Sequence, residues 1–433
     1  MGNDVLTPGP IGKLSALLIL ETRHRQMKIL VLNSGSSSQK ACLYEIGNAL
    51  PKSPPVPLWE GRIEWNGDTA AVTVRNLKGV SNKEKLKISS RNSMLSDLLA
   101  TSWSGETRSI SSAGEIDAVG HRVVHGGPRF QDPVLITNDV YSALADLSLF
   151  APLHIQSELD GMKIAADLLG DVPQFAVFDT GFHRQMPLVA QTYPGPYEWF
   201  ECGIRRYGFH GINHQYCATR AAQLIEKDLC SLKIVSCHLG NGCSVTGIRG
   251  GRSVDTTMGF TPLDGLMMGT RSGSVDPGIL TFLMREHGLN ADQIDDILNK
   301  KSGLLGVSGL SADMRDVLAG MHLGNGRAKL AFDLYVHSLR TAIGGMAASL
   351  EGLDVLVFTA GVGENSPEVR AATCKGLDFL DVTIDLNRNK EPLLDADISG
   401  RYSRVKVLVI RAAEDWAIAR ECWKLCRCPA AVS

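Results

Sequence analysis

Three stretches of small residues, each leaving an apolar run, are the places in this sequence where chemistry is most readily housed. The first is residues 33–38 (NSGSSS), which follows the run MKILVL at 27–32. Short side chains there let backbone N–H groups face an anion, and the hydroxyls of Ser36 and Ser38 add donors. Lys40 follows closely and can bring positive charge to a phosphate; an ordinary polar hairpin turn is the bland alternative. No G-x-x-x-x-G-K-[ST] occurs, so this is not a Walker loop. The second stretch is His238, Leu239, Gly240, Asn241 and Gly242, a further candidate phosphate loop. The third is Gly361, Val362, Gly363, Glu364 and Asn365, a glycine turn suited to a nucleoside contact. One such turn says little. Three at strand ends fit a ligand spread along the mouth of a cleft.

Charged residues of the right kind lie near these turns. Arg122 sits in GHRVVHGG and Arg271 in MGTRSG, both among small or apolar neighbours with no adjacent acid. Carboxylate and phosphate are the best geometric partners for such a guanidinium, though a structural ion pair with a distant acid would also serve. Asp179 follows an apolar run and precedes His183; it can orient a metal or a nucleophile, or simply cap a turn. His210, in RYGFHG, can donate to a transferring phosphoryl group or rest as a satisfied core histidine. Glu414 opens the last helix, where a carboxylate favours the helix N-terminus or a Mg²⁺ shell.

The elements that must position these residues alternate. Apolar runs at 27–32, 41–46, 119–124, 175–178, 233–237, 243–248, 355–359 and 405–410 read as strands. Helical spacing is expected over 153–169, 329–350 and 414–426. Residues 51–57 are proline-rich and read as a surface loop; residues 75–115 are polar and read as exposed. Strand, small-residue turn, strand occurs twice, about 200 residues apart, which fits two related α/β domains facing a cleft.

The whole chain bounds the answer. At 433 residues it exceeds a single core, so two domains are expected. Its 44 glycines are aperiodic and cluster. Lys+Arg 44 against Asp+Glu 46 leaves a formal charge of -2, too neutral a field to hold nucleic acid or an anionic membrane. No apolar run approaches the ~20 residues of a membrane span. Ten scattered cysteines without a secretory pattern read as reduced thiols in a cytoplasmic protein. The C-x3-C-x-C of Cys422, Cys426 and Cys428 lacks a fourth ligand and zinc-site spacing, so it reads as a helix end carrying thiols. Residues 1–26 differ in character from the rest of the chain and are expected to be a dispensable, disordered extension.

Taken in order, LVLNSGSSSQK, GHRVVHGG, APLH, FDTGFH, RYGFHG, CHLGNGCSV, TPLDGLMMGTRSG, SGLLGVSGLSADMR, FTAGVGENS and AEDWAIAR resemble the acetate kinase family, ATP:acetate phosphotransferases of the actin/Hsp70/sugar kinase superfamily. The resemblance covers about residues 27–425. It implies two duplicated ribonuclease H-like domains around an interdomain cleft. Residues 27–181 plus 412–433 would form the acyl side and 182–411 the nucleotide side. It implies ATP/ADP, Mg²⁺ with Mn²⁺ as a substitute, acetate with propionate weaker, and a homodimer.

Residue by residue, the resemblance makes Asn33 and Glu414 the Mg²⁺-site residues and Ser36, Ser38 and Lys40 the phosphate-loop contacts. Arg122 becomes the substrate arginine and Asp179 the catalytic aspartate, with His210 and Arg271 stabilising the transferring phosphoryl group. His238, Leu239, Gly240, Asn241 and Gly242 become nucleotide contacts, as do Asp313, Met314 and Arg315 and the turn Gly361, Val362, Gly363, Glu364 and Asn365. Val124, Leu153, Phe209 and Pro262 would line the pocket for the acyl methyl group. Four places depart from the family pattern: Ile155-Gln156 for Asn-Pro, Ile212-Asn213 for Thr-Ser, the loop SGSVD at 272–276, and Ala413-Glu414-Asp415 for Asn-Glu-Glu. None removes a proposed catalytic group. Alternatives are a propionate or butyrate kinase of the same family and a non-catalytic ATP-binding module.

Overall fold

Two β-sheets built on one plan organise the chain. The structure is a computed structural model that describes residues 26–35, 38–147, 152–390 and 395–427. The extension expected at 1–26 therefore lies outside the described residues, apart from Gln26. The chain divides into two units. The first holds the described residues up to His125, those of Asp132–Phe178 and those from Glu414 on; the second holds Gly126–Gln131 and Asp179–Ala413.

The first unit carries β1 (Met27–Ser34), β2 (Ser38–Ile46), β3 (Trp59–Asn66), β4 (Thr69–Asn76), β5 (Ser81–Lys87), β6 (Ala118–Val123), β7 (Val134–Leu135) and β8 (Gln174–Phe178). Their order is β5-β4-β3-β2-β1-β6-β8-β7. β1 to β5 form an antiparallel meander, while β6 runs parallel to β1 and β8 parallel to β6. β1 and β6 are buried at nearly every position because elements cover both faces of the sheet there. The helix Pro152–Leu169 packs on β1 and β6, and so does the closing helix Glu414–Arg427. Close approach of the closing helix needs Gly120: a Cβ there would lie 2.6 Å from both Cys422 Sγ and Ile418 Cγ2. Cys422 is thus a packed core thiol, while Cys428 lies outside the described residues.

Residues 75–115 are not uniformly exposed as their polarity suggests. β5 is exposed throughout, but the helix Arg91–Ala100 buries Met94, Leu95, Leu98 and Leu99 beside Trp59 and Leu30. Four apolar residues suffice because their spacing puts them on one face; the polar remainder dilutes the signal.

The second unit carries β9 (Lys233–Leu239), β10 (Cys243–Arg249), β11 (Arg252–Thr256), β12 (Val355–Thr359), β13 (Ala396–Asp397) and β14 (Lys406–Val409), in the order β11-β10-β9-β12-β14-β13. β9, β10 and β11 form an antiparallel meander; β12 runs parallel to β9 and β14 parallel to β12. This repeats β1, β2, β3, β6 and β8 strand for strand. The helix Gly211–Leu224 packs against β9, and the long helix Gly326–Leu350 against β10. Asn325 caps the long helix by accepting the Ala328 N–H.

Buried histidines in each unit make stability depend on acidity, His121 and His183 among them. Burial pushes the pKa of His121 and of His183 down to about 4 from 6.5. Both are neutral when folded, while the unfolded chain binds the proton near its ordinary pKa. Stability is therefore fully present above pH 6.5 and is lost as pH falls toward 4, by at most roughly 1.4 kcal/mol per pKa unit for each group. Thermal melts across this range should show a falling Tm, and His121→Gln should flatten the slope. An unchanged slope in both His121→Gln and His183→Gln would contradict this account.

Candidate active site

In the first unit the candidate residues gather where β1 and β6 end and β2 begins, beside the closing helix. Asn33 pairs in register with Lys40 across the hairpin, whose turn closes through Gly35 N–H donating to Ser38 C=O at 2.8 Å. Ser36 lies outside the described residues. The Asn33 amide donates to Glu414 Oε2 and to Asp415 Oδ1, each at 3.3 Å, and its oxygen accepts from Arg122 Nη1 at 3.4 Å. Asn33, Arg122 and Glu414 are thereby brought together.

Lys40 points its ammonium at a carboxylate of its own unit. Nζ lies 2.6 Å from Asp415 Oδ2 and 3.6 Å from Glu60 Oε1. Burial alone would lower the Lys40 pKa; the Asp415 carboxylate more than offsets this and holds it above its ordinary value. Burial, reinforced by Asp415, likewise pushes the Cys42 thiol up. Sequence reasoning missed Asp415, although it marked the substitution there. Its partners lie more than 370 residues away, at Asn33, Lys40 and Cys42. Asp415→Asn should destabilise the fold by about 1–3 kcal/mol in urea unfolding, because it leaves a half-buried ammonium without its nearest carboxylate. A change below ~0.3 kcal/mol would show the pair to be idle.

Of the expected acyl pocket, Val124 is buried in the first unit, and its N–H donates to the buried Glu158 Oε1 at 3.0 Å. The side chain of Leu153 lies outside the described residues. Phe209 is buried and Pro262 half-buried in the second unit.

In the second unit, Asp179 is 1% exposed, and its carbonyl accepts the Gly211 N–H at 2.8 Å. A Cβ on Gly211 would lie 2.3 Å from that carbonyl oxygen, so no larger residue fits. His210, just before, adopts a left-handed backbone with φ 56. Such strain in a non-glycine residue persists only where surrounding structure enforces it. The imidazole stacks on His238 at 3.9 Å with an 11° interplanar angle, and Nδ1 lies 2.9 Å from Ser244 Oγ.

Gly242 marks where the groups converge. A Cβ there would sit 3.3 Å from Arg271 Nη1 and 3.5 Å from His210 Nε2. Arg271 is anchored by Nη1 donating to Pro262 C=O at 3.2 Å. The loop closes through Gly240 N–H donating to Gly242 C=O at 3.0 Å and is tied down by Gly269 N–H donating to Asn241 C=O at 3.1 Å. Leu239, its apolar member, is buried as the last residue of β9.

The third stretch is a short helix, Ala360–Asn365, rather than the open glycine turn that its composition suggests. Gly363 rests against the end of β9, where a Cβ would lie 3.6 Å from Leu239 Cβ. Glu364 Oε1 accepts the N–H groups of Ala360 at 2.9 Å and Ala412 at 2.8 Å, and burial pushes its pKa up. Gly361 and Asn365 are exposed, Val362 is half-buried, and Asn365 donates to Gly361 C=O at 2.8 Å. Beneath them lies Arg370, fully buried, which sequence reasoning also missed. Asp313 caps the helix Met314–His322 and pairs with the guanidinium of Arg315, which holds its carboxyl below the usual range; Met314 is buried.

Two sheets of one topology, each a meander followed by two parallel strands, with a glycine loop between β9 and β10 and a short helix after β12, define a duplicated ribonuclease H-like fold of the actin/Hsp70/sugar kinase type. The structure matches the crystal structure of Porphyromonas gingivalis acetate kinase with TM-score 0.84 and 38% identity, over 92% of this chain and 99% of that one. It matches a propionate kinase from Francisella tularensis subsp. tularensis SCHU S4 with TM-score 0.82 and 35% identity, over 92% and 99%. In sequence it is 55% identical to an acetate kinase of Cyanothece sp. (strain PCC 7425 / ATCC 29141), over 92% of this chain and 98% of the relative. Residues 28–420 match the acetokinase family, and the chain belongs to it.

Proposed function

We propose that this kinase transfers the γ-phosphoryl group of ATP to acetate, giving acetyl phosphate and ADP, in either direction. The observation that carries the reading is the convergence of Arg271 Nη1 and His210 Nε2 on Gly242 of the candidate phosphate loop. A cation and a ring nitrogen meeting at a glycine suit a trigonal phosphoryl group whose charge spreads over its oxygens. An acetate oxygen forms the new bond to phosphorus. The bond to the ADP oxygen breaks, and its electron pair leaves with ADP. Acetate is ionised at neutral pH, since carboxyls titrate near ~4, so no general base is needed. Asp179 then acts through position and charge rather than by taking a proton. Arg122 offsets the repulsion between the two anions.

Asn33 Oδ1 and the Glu414 carboxylate are hard oxygen donors of the kind Mg²⁺ prefers, and the Asn33 amide nitrogen holds the two side chains together by donating to Glu414 Oε2 at 3.3 Å. Bound there, Mg²⁺ (or Mn²⁺) would neutralise phosphate charge. His238, the remainder of its loop, the pair Asp313 and Arg315, and the helix at 361–365 would hold the nucleotide. Val124, Leu153, Phe209 and Pro262 would limit the acyl chain. We also propose a homodimer acting in the cytoplasm, as the family resemblance implies. Among the described residues no helix is long and apolar enough to cross a membrane.

Hydroxamate trapping of the acyl phosphate, with Mg²⁺-ATP and acetate, propionate or butyrate, tests the reading. The expected result is highest kcat/KM on acetate, with each added methylene costing ~1–3 kcal/mol of discrimination. A preference for longer acids would keep the mechanism and move the substrate. Nucleotide binding without turnover on any acid would make the chain a binding module.

A further inference from the structure

Behind His210 runs a series of buried polar side chains that phosphoryl transfer itself does not use. His210 Nδ1 lies 2.9 Å from Ser244 Oγ, which lies 2.8 Å from His214 Nε2. On its other side His214 Nδ1 lies 3.0 Å from Ser236 Oγ. Ser236, Ser244 and His214 are fully buried. Burial holds the His214 imidazole well below its ordinary pKa, so the ring is neutral, with one N–H and one bare nitrogen.

A proton arrangement in which both rings donate to Ser244 Oγ would strand the buried Ser244 O–H, which leaves two others. In one, Ser236 O–H donates to His214 Nδ1, His214 Nε2–H donates to Ser244 Oγ, and Ser244 O–H donates to His210 Nδ1. In the other each bond is reversed, and the Ser236 hydroxyl must find a different acceptor. Among the described residues the Ser236 side chain has His214 as its single hydrogen-bond partner. The reversed arrangement would strand a buried O–H, a cost that the first avoids. The first makes His210 Nδ1 an acceptor and leaves the proton on Nε2, the nitrogen that faces Gly242 and Arg271.

The stacked neighbour follows the same rule. Asn213 Nδ2 lies 2.8 Å from His238 Nδ1, and Asn213 Oδ1 accepts from the Cys217 thiol at 3.6 Å. That orientation makes His238 Nδ1 an acceptor and places its proton on Nε2, beside Gly240. Two imidazolium rings 3.9 Å apart would repel, and two neutral rings do not. The titratable and charged groups around His210 are His238 in the stack, Arg271 across Gly242, and His214 behind Ser244, with His183 edge-on to His214 at 6.0 Å.

We propose that Ser236, His214 and Ser244 form a positioning relay that holds His210 as the neutral Nε2–H tautomer, a fixed hydrogen-bond donor to the transferring phosphoryl group. The identity of the acceptor rests on the proposed kinase function; the tautomer is a property of the protein alone.

Nitrogen NMR of the full chain labelled with ¹⁵N-histidine reads it directly, with His210 assigned by the signals lost in His210→Gln. The expected spectrum between pH 6 and 8 shows a bare Nδ1 and a protonated Nε2. Ser244→Ala should remove the acceptor constraint on Nδ1 and let the ring exchange between its two tautomers, moving both His210 nitrogen signals. It should lower kcat about tenfold with little change in KM. In a His210→Gln background the same change should cost less than twofold. A protonated Nδ1 in the unaltered protein overturns the proposal, as does a Ser244→Ala spectrum identical to it. If Ser244→Ala does not fold, the spectrum of the unaltered protein decides alone. The expected tautomer in a protein without kinase activity would sink the function and leave the relay standing.

Discussion

Arg271→Ala is expected to lower kcat by two to three orders of magnitude while the protein stays folded. Removing one preorganised donor aimed at developing charge typically costs ~10²–10³ in kcat. The proposed role rests on its placement: Nη1 is held on the Pro262 carbonyl at 3.2 Å and faces the Gly242 backbone beside His210 Nε2. The loss should fall on kcat more than on KM, because the interaction strengthens as charge builds in the transition state. Arg271→Lys should recover little of it. Lysine keeps the charge but not the planar fork, so it cannot reach the carbonyl and the phosphoryl oxygens from one rigid group. Steady-state kinetics with a parallel thermal melt check this; a loss under tenfold at unchanged Tm would remove Arg271 from the reaction.

Arg370→Ala should produce the largest loss of stability, about 3–5 kcal/mol, and should raise the KM for nucleotide. Arg370 is fully buried, and its guanidinium satisfies four acceptors. Nη1 donates to the carbonyls of Gly363 and Glu364, both at 2.8 Å, Nη2 to the Asn389 carbonyl at 2.7 Å, and Nε to Asn389 Oδ1 at 2.8 Å. Burial lowers its pKa to about 10, which leaves it charged at neutral pH. Truncation both opens a cavity and strands carbonyls under the helix Ala360–Asn365. Arg370→Met, which keeps most of the volume, separates the two effects. It should retain the KM defect, because the missing donors are what hold Gly363 and Glu364 in place. Urea unfolding and ATP titrations give the two numbers; a KM within twofold of the parent in both variants would confine Arg370 to the core.

Much of the fold was legible because sheet strands covered on both faces read as largely apolar runs. β1, β9 and β12 are of this kind, and each ends in a motif that could be marked for chemistry. The helix Arg91–Ala100 was hidden because its buried face rests on four residues in a polar stretch. Candidate site residues could be marked where glycine and charge fall together in sequence, as around Arg122, His210 and Arg271. What escaped was everything defined by a distant partner. Asp415 matters through Lys40 and Asn33, and Arg370 through the carbonyls of Gly363 and Glu364 and through Asn389. The relay behind His210 joins β9, β10 and the helix Gly211–Leu224, and a lone Ser or His in any of these gives no sign of it.

The closing helix has a consequence for how the chain is made. It presses on β1 and β6 at Gly120 and brings Glu414 and Asp415 to residues near the start of the described chain. A nascent chain leaving the ribosome therefore has every strand of the second unit before it has the last helix of the first. The second unit can settle while synthesis continues. The first must wait, with the β1–β6 surface uncovered, until residues 414–427 emerge. At ~5–20 residues per second, the wait from the end of β8 lasts about 12–50 s. During that interval the earliest strands present an open apolar face, the kind of surface that chaperones engage.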